Sequence, residues 1–299
     1  MFTIAGLCRK ISRAIASLLR RGFCLLIPLL IFLALRTQAG LFTSGKKPSR
    51  LIVHPASLEL LDAKGEHGLL VTAVMPDGSQ MDVTDVARYK SAEPKIVSVS
   101  TNGLCRPLAD GTVEIAISYQ GRSEKIRVTV RDAKTAHKAS FRQDVLPILT
   151  KTGCNAGACQ GKLAGQNGFK LSLRAFAPDW DYDWLTSEVH SRRIDYAFPD
   201  ESLMILKPTG QVPHEGGQRF SPGSRYHQML VDWIKARTPG PATNEADCAS
   251  LELFPGNRTM KVGDTQRLLV RARYPNGRTR DVTWLTQFFS NDETVLDVR

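Results

Sequence analysis

Two cysteines in a glycine-rich loop are the residues of this 299-residue sequence best placed to do chemistry. Cys154 and Cys159 stand five positions apart in "KTGCNAGACQGKLAGQNG". Two thiols at this spacing could attach a haem, contribute to a metal site, or close a small disulfide. Export to an oxidising compartment would favour the disulfide, and a metal site lacks a second close pair of ligands. The residues alone leave these alternatives open.

Residues 1–39 predict an export signal. They carry six Lys or Arg and no acidic residue; five of the basic residues precede the apolar run "FCLLIPLLIFLAL", and a small residue, Ala39, stands at the expected cleavage site. The apolar run is short for a bilayer span, so we expect export to the periplasm or cell envelope, with membrane contact only through this signal.

Removal of that segment changes the charge and the cysteine count. The net charge falls from +11 to +5, because the six basic residues are lost. The remaining basic residues are scattered without aromatic platforms, which argues against nucleic-acid binding. Four cysteines remain, and Cys105 and Cys248 could pair with each other.

An internal repeat divides the rest of the chain. "LLVTAVMPDGSQMDVTDVARYKSAEPKIVSV" at 69–99 aligns without a gap with "LLVRARYPNGRTRDVTWLTQFFSNDETVLDV" at 268–298. In each copy, alternating runs flank Pro-Asp-Gly or Pro-Asn-Gly, which predicts a β-hairpin. Further short alternating segments up to residue 130 predict an antiparallel sandwich.

The turns "DGSQMDVT" and "NGRTRDVT", with their flanking strands, resemble the bacterial immunoglobulin-like domain, group 2. The resemblance implies an immunoglobulin-like sandwich over residues 50–132 and a second one over residues 249–299. Such domains usually serve as spacers, adhesion modules or carbohydrate-facing modules. The second copy has no counterpart of residues 101–131, so we expect an incomplete sandwich and a chain that is a fragment of a longer protein.

Residues 133–248 have a different character. "SFRQDVLPILTKTG" begins with Ser140 and Gln143 at capping-box spacing and predicts a helix kinked or started at Pro147. "DYDWLTSEV" predicts a short helix starting near Asp181 or Asp183. "RYHQMLVDWIKAR", capped by Ser224, predicts an amphipathic helix that ends before a Pro-Gly-Pro stretch.

This middle segment resembles a small class I cytochrome c. It is more closely similar to the cytochrome-like segment of large secreted planctomycete proteins, which lies between group 2 immunoglobulin-like domains. The residues that carry the resemblance are "DVLPILTKTGCNAGACQGKLAGQNGFKLSLR", "ESLMILKPTGQVPHEGGQRF" and "GSRYHQMLVDWI". In that family the loop usually reads C-N-x-G-x-C-H-G.

The resemblance implies haem c bound through Cys154 and Cys159. Gln160 replaces the usual histidine, and an amide is a poor ligand for haem iron. The resemblance also implies that His214, in "QVPHEGG", is an axial ligand of the iron. Weaker candidates for the iron are His190 and His227, and candidate cations for the haem propionates are Arg192, Arg193 and Lys207.

We therefore predict a multidomain protein with an all-β immunoglobulin-like sandwich, a mainly α cytochrome-c-like module and a partial second sandwich. Two functions follow. One is electron transfer or redox sensing with a redox protein as partner. The other is a haem-less, disulfide-tied structural protein that binds cell-surface polysaccharide or another protein. No set of residues has the spacing of a catalytic site, so the sequence leaves catalysis undecided.

Overall fold

Ten short strands build the first part of the chain. The computed structural model describes residues 47–166 and 168–298, so the predicted export signal lies outside the described residues. No helix within those ranges is long and apolar enough to cross a membrane. The strands are β1 (Arg50–His54), β2 (Ser57–Leu61), β3 (His67–Gly68), β4 (Leu70–Val74), β5 (Gln80–Asp82), β6 (Arg88–Ser91), β7 (Val97–Val99), β8 (Leu104–Pro107), β9 (Gly111–Tyr119) and β10 (Arg122–Arg131).

These strands form three sheets around one apolar core. Their orders are β1-β4-β5, β2-β10-β9-β6 and β3-β8-β7, and every pairing is antiparallel except β2 with β10. Alternate residues along β9 and β10 face the core, as in Ile115, Ile117 and Val128, which are fully buried. The structure is thus mostly β-sheet, and this part is compatible with the sandwich expected over residues 50–132.

The two predicted hairpins are present. In the first, Met75 N donates to Ser79 O at 2.8 Å around the Pro-Asp-Gly turn. In the second, Tyr274 N donates to Arg278 O at 2.9 Å around Pro-Asn-Gly. Gly78 and Gly277 both have positive φ, at 83° and 80°, which is why glycine occupies this position in both copies.

The second copy of the repeat forms one sheet of three strands. They are β11 (Ser250–Phe254), β12 (Leu269–Arg273) and β13 (Thr279–Asp281), in the order β11-β12-β13 that matches β1-β4-β5. Leu51 and Val53 of β1 are 4% and 8% exposed, whereas their counterparts Leu251 and Leu253 are 62% and 51% exposed. The described part of the second copy therefore leaves the apolar face of β11 largely uncovered.

Short helices build the middle segment. They are α1 (Leu146–Lys151), α2 (Pro178–Thr186), α3 (Leu203–Leu206) and α4 (Arg225–Lys235), with a π-helical turn at Phe141–Val145 before α1 and 3₁₀ turns at Leu173–Ala175, Pro199–Glu201 and, in the second repeat, Thr283–Leu285. Ser140 Oγ accepts a hydrogen bond from Gln143 N at 2.9 Å, and Ser224 Oγ accepts one from His227 N at 3.4 Å, so both predicted caps are confirmed.

The helices bury their apolar faces against one another. Phe141 and Trp233 are fully buried, with ring centroids 5.6 Å apart, and Tyr182 of α2 packs edge-on against Phe141 at 5.3 Å. Trp233 Nε1 also donates to Pro239 O at 2.9 Å, which joins α4 to the Pro-Gly-Pro stretch behind it.

Two expectations for this segment need correction. The predicted start of α2 near Asp181 or Asp183 is wrong, because α2 begins at Pro178 and the buried Asp181 carboxylate instead accepts bonds from Ser172 N and Oγ. The segment is also less regular than a mainly α module, since turns and loops occupy most of the chain between Gly153 and Ser224.

A buried charged network joins the three parts of the chain. The His137 ring lies between Asp62, whose carboxylate is 2.8 Å from Nδ1, and Asp144, whose carboxylate is 3.1 Å from Nε2. Asp144 also accepts from Ser140 N at 2.8 Å and pairs with Arg280 of β13. The network ties the end of β2 to the first helical turn and to the second repeat.

Candidate cofactor site

One cavity in the middle segment gathers the residues that the sequence predicts to be functional. Its volume is about 400 Å³, within the range of roughly 300–1000 Å³ typical of small-molecule sites. Cys154, Cys159, Gln160 and His214 all line it. The apolar part of the wall includes Leu149, Phe169, Leu171, Leu185, Leu203 and Met204. The structure thus brings the two neighbouring cysteines of the loop together with a histidine that is far from them in the sequence.

The end of α1 positions the first cysteine. The chain leaves the helix at Gly153, and Cys154 N donates back to Leu149 O at 2.8 Å. The buried Asn155 then donates from Nδ2 to Thr150 Oγ1 at 2.8 Å. Cys154 is therefore held by α1 itself, which gives its thiol a defined place in the cavity wall.

Neither thiol is joined to another cysteine. Thr152 Oγ1 lies 3.4 Å from Cys154 Sγ, and burial raises the pKa of Cys154 above its ordinary value. Cys159 Sγ donates to Gln160 Oε1 at 2.7 Å, so the amide of Gln160 contacts the thiol of its neighbour. Cys105 is fully buried in the first sandwich and Cys248 is exposed, and both are free thiols.

His214 also lines this cavity. Its Nδ1 is buried and has no hydrogen-bond partner among the described residues. Burial, aided by the nearby charges of Lys207 and Arg219, lowers the pKa of His214, so the ring is neutral at pH 7. A neutral imidazole with a free nitrogen is the form that binds a metal ion.

Gly216 allows this close packing of the histidine. A Cβ at position 216 would lie 2.7 Å from His214 Nε2, closer than atoms can approach without a shift. Glycine at position 216 therefore has a steric reason, whereas Gly217 has a positive φ of 62° and no described residue close to its Cβ position.

The other sequence candidates for iron ligands lie away from the cavity wall. His190 is exposed, and His227 Nε2 lies 3.4 Å from the Asp200 carboxylate. Met229 is buried in the helical core, while Met204 is buried and also contributes to the cavity wall.

Four cations border the cavity, of which the sequence identified three. Arg192 and Lys207, which were predicted, line it, and so does Arg219. Arg219 was not predicted, although it stands within the quoted stretch "QVPHEGGQRF". Arg193 also lines the cavity, but its guanidinium donates to Trp184 O at 2.9 Å and lies over a ring of the wall, so it has a structural role. Within residues 47–166 and 168–298 no cluster of three or more His, Cys, Asp or Glu could hold a metal ion by itself.

Comparison with known proteins gives little further identification. No family model and no curated protein matches this chain. Three solved structures of the S-layer protein SbsC are similar over part of it, each with a TM-score of 0.25. Domains 4 and 5 share 19% identity over 28% of this chain and 51% of that chain.

Two further SbsC structures match to a similar extent. Domains 5–6 share 19% identity over 28% of this chain and 44% of that chain, and domains 4–9 share 18% over 31% and 15%. This chain thus spans about half or less of each of those structures. The class established by the fold is a mostly β-sheet protein with sandwich-type sheets and a middle segment that encloses a cavity.

Proposed function

We propose that this chain is an exported protein of the cell envelope whose middle segment binds haem covalently, for electron transfer or redox sensing. One observation carries the proposal: both thiols of the loop and a neutral imidazole line one apolar-walled cavity. The thiols and the imidazole come from chain regions that are distant in sequence. The thiols suit the haem vinyl groups, and the imidazole suits the iron.

The thiols can form the covalent links. Addition of a Cys S–H across a haem vinyl C=C forms one S–C thioether bond and places the hydrogen on the neighbouring carbon, so no oxidant is needed. Cys154 and Cys159 are both free thiols, which is the state that this reaction requires. Burial keeps Cys154 protonated, so attachment would depend on a haem-ligation system in the export compartment.

The remaining wall residues suit the other parts of the group. His214 would supply a nitrogen ligand to the iron, and Arg192, Lys207 and Arg219 would supply positive charge for the propionates. Haem contributes reversible one-electron chemistry when bound, and burial and axial ligation set its potential. Gln160, at the position of the family's histidine, is a weak ligand.

The test is expression of the full chain in a periplasm that contains haem-attachment machinery, followed by visible spectroscopy before and after denaturation. We expect a Soret band that persists in denaturant, because thioether links survive unfolding. The double variant Cys154→Ala/Cys159→Ala should lose that band. Cys248→Ala is the matched control, since it removes an exposed thiol outside the cavity wall.

Two further outcomes decide the proposal. His214→Ala should keep the covalent haem but change its spectrum, because only the axial ligand is removed. A colourless wild-type protein from cells that attach haem to a known cytochrome would refute the proposal.

A structural role is the second candidate, and Gln160 favours it. Its side chain accepts the Cys159 thiol hydrogen bond within the loop itself, so the loop has an internal partner at the position where the family has its iron ligand. In this role the middle segment is a scaffold that presents the sheets to polysaccharide or protein. A colourless product in which oxidation joins Cys154 to Cys159 would support this role.

A further inference from the structure

The repeated "DVT" sequence places an aspartate at the same point of each repeat. Asp82 and Asp281 correspond at the repeat offset. In each case Oδ1 accepts from the backbone of the threonine two residues later, Thr84 N at 2.9 Å and Thr283 N at 2.9 Å. The threonine Oγ1 then accepts a backbone N–H from the adjacent strand. One carboxylate oxygen is thus used inside its own repeat.

The second carboxylate oxygen reaches the other repeat. Asp82 Oδ2 accepts from Arg267 N at 2.7 Å, and Asp281 Oδ2 accepts from Gly68 N at 2.8 Å. Gly68 and Arg267 also correspond at the repeat offset. In each repeat, the same aspartate is therefore the acceptor for the other repeat. The backbone N–H at the same repeat position is the donor. Such exchange of identical contacts defines a two-fold, self-complementary interface.

A ring pair supports the same symmetry. His54 at the end of β1 stacks on Phe254 at the end of β11, with centroids 4.7 Å apart and planes 22° apart. Both residues precede a proline at the same place in their repeat. Side chains that meet their own equivalents lie near a two-fold axis. The rings and the two aspartate bonds consequently describe one axis between the repeats.

We propose that this face of the repeat is a self-recognition surface whose partner is another copy of the same repeat. In this chain the two copies pair with each other across the pseudo-two-fold axis. The aspartate is the specifying residue, because a carboxylate has two oxygen acceptors, one for its own turn and one for the partner's backbone. The proposal does not depend on haem binding.

The test uses Asp→Asn substitutions in the full chain and hydrogen exchange of backbone amides. An asparagine keeps one oxygen for its own turn but turns an N–H₂ group toward the partner's N–H, so it removes the inter-repeat bond. We expect D82N to speed exchange at Arg267, its own partner, and also at Gly68, whose acceptor is intact. D281N should affect the same two amides. Each increase should be about tenfold, the loss of one charge-assisted hydrogen bond.

Asp110→Asn is the matched control. Asp110 Oδ1 accepts from Ala133 N at 2.7 Å and, among the described residues, has no bond to the second repeat, so the same substitution there should leave exchange at Gly68 and Arg267 unchanged. Amides of β9 and β10 report whether the sandwich remains folded. Faster exchange confined to the substituted residue's own partner would refute the proposal, because the two bonds would then open independently.

His54→Ala tests the same surface without altering either turn. Removal of the ring should again speed exchange at both Gly68 and Arg267, and unchanged exchange there would refute the shared axis. This variant decides the question if either asparagine variant exchanges throughout the sandwich.

Discussion

His137 carries a proton between two carboxylates, and its replacement by glutamine tests how much that buried charge stabilises the fold. Both ring nitrogens face carboxylate oxygens, so both must donate, and the ring is an imidazolium. Burial by itself lowers the pKa of His137, but hydrogen bonds to Asp144 and Asp62 outweigh it and raise the pKa to about 9.

The magnitude follows from that shift. The ordinary pKa of histidine is 6.5, and a rise to about 9 corresponds to roughly 3 kcal/mol of stability. The same bonds hold the pKa values of Asp62 and Asp144 below their usual range, so their free energy is counted once, at the histidine. Because the folded-state pKa is raised, this stability is fully present below pH 6.5 and is lost as the pH rises through 9.

Urea unfolding of wild type and His137→Gln at intervals from pH 6 to 9.5 measures the effect. We expect the variant to be less stable by about 3 kcal/mol at pH 6 and nearly equal to wild type at pH 9.5. His190→Gln, at an exposed histidine, should follow the wild-type curve. If the free energies of unfolding of wild type and H137Q differed by the same amount at every pH, the imidazolium between two carboxylates would be refuted.

Three further predictions rest on the packing. Under the proposed haem binding, Gly216→Ala should change the visible spectrum in the same way as His214→Ala, because its methyl group would lie 2.7 Å from His214 Nε2 and displace the ring; an unchanged spectrum would contradict the role of this contact. Val53→Ala should lower the free energy of unfolding by roughly 2 kcal/mol and Leu253→Ala by less than about 0.5, since their exposures are 8% and 51%; equal losses in urea unfolding would contradict the difference between the sheets. Trp233→Ala should cost about 3–5 kcal/mol in the same assay, and a loss below about 1 would contradict its place in the core.

A control is available for the glycine substitution. A Cβ at Gly157 would meet its nearest neighbour, Leu173, at 3.9 Å, which is ordinary contact. Gly157→Ala should therefore leave that spectrum unchanged.

Local chemistry made part of the fold predictable from the sequence. The turns at Gly78 and Gly277 and the caps at Ser140 and Ser224 depend on residues within a few positions of each other, and the structure confirms them. The missed start of α2 had a local signal too, because Pro178 is the residue type favoured in a first helical turn.

Long-range polar contacts were not predictable in the same way. Asp144 reads in the sequence as an ordinary acidic residue of a first turn, yet its partners His137 and Arg280 come from the connecting segment and from the second repeat. The reciprocal bonds of Asp82 and Asp281 likewise depend on how two sheets meet. Hydrophobic periodicity carries no information about such pairings, although the repeat itself marks the two aspartates as equivalent.

At the candidate site, residue types and spacing indicate the chemistry, and only the structure shows how the residues are arranged. The cysteine spacing and the quoted stretch around His214 named the residues, but only the fold of the middle segment places them in one cavity. The bond from Cys159 to Gln160 joins adjacent residues, yet sequence cannot specify a side-chain rotamer.

The reciprocal contact between the repeats also has a mechanical consequence. Both ends of the middle segment continue into repeats that contact each other, so tension applied between β1 and β13 would load the Asp82 and Asp281 bonds together with the Asp62–His137–Asp144–Arg280 network. The cavity would not be stretched until those contacts break. A protein pulled from outside would thus release its middle segment abruptly, at a threshold force, instead of deforming it gradually.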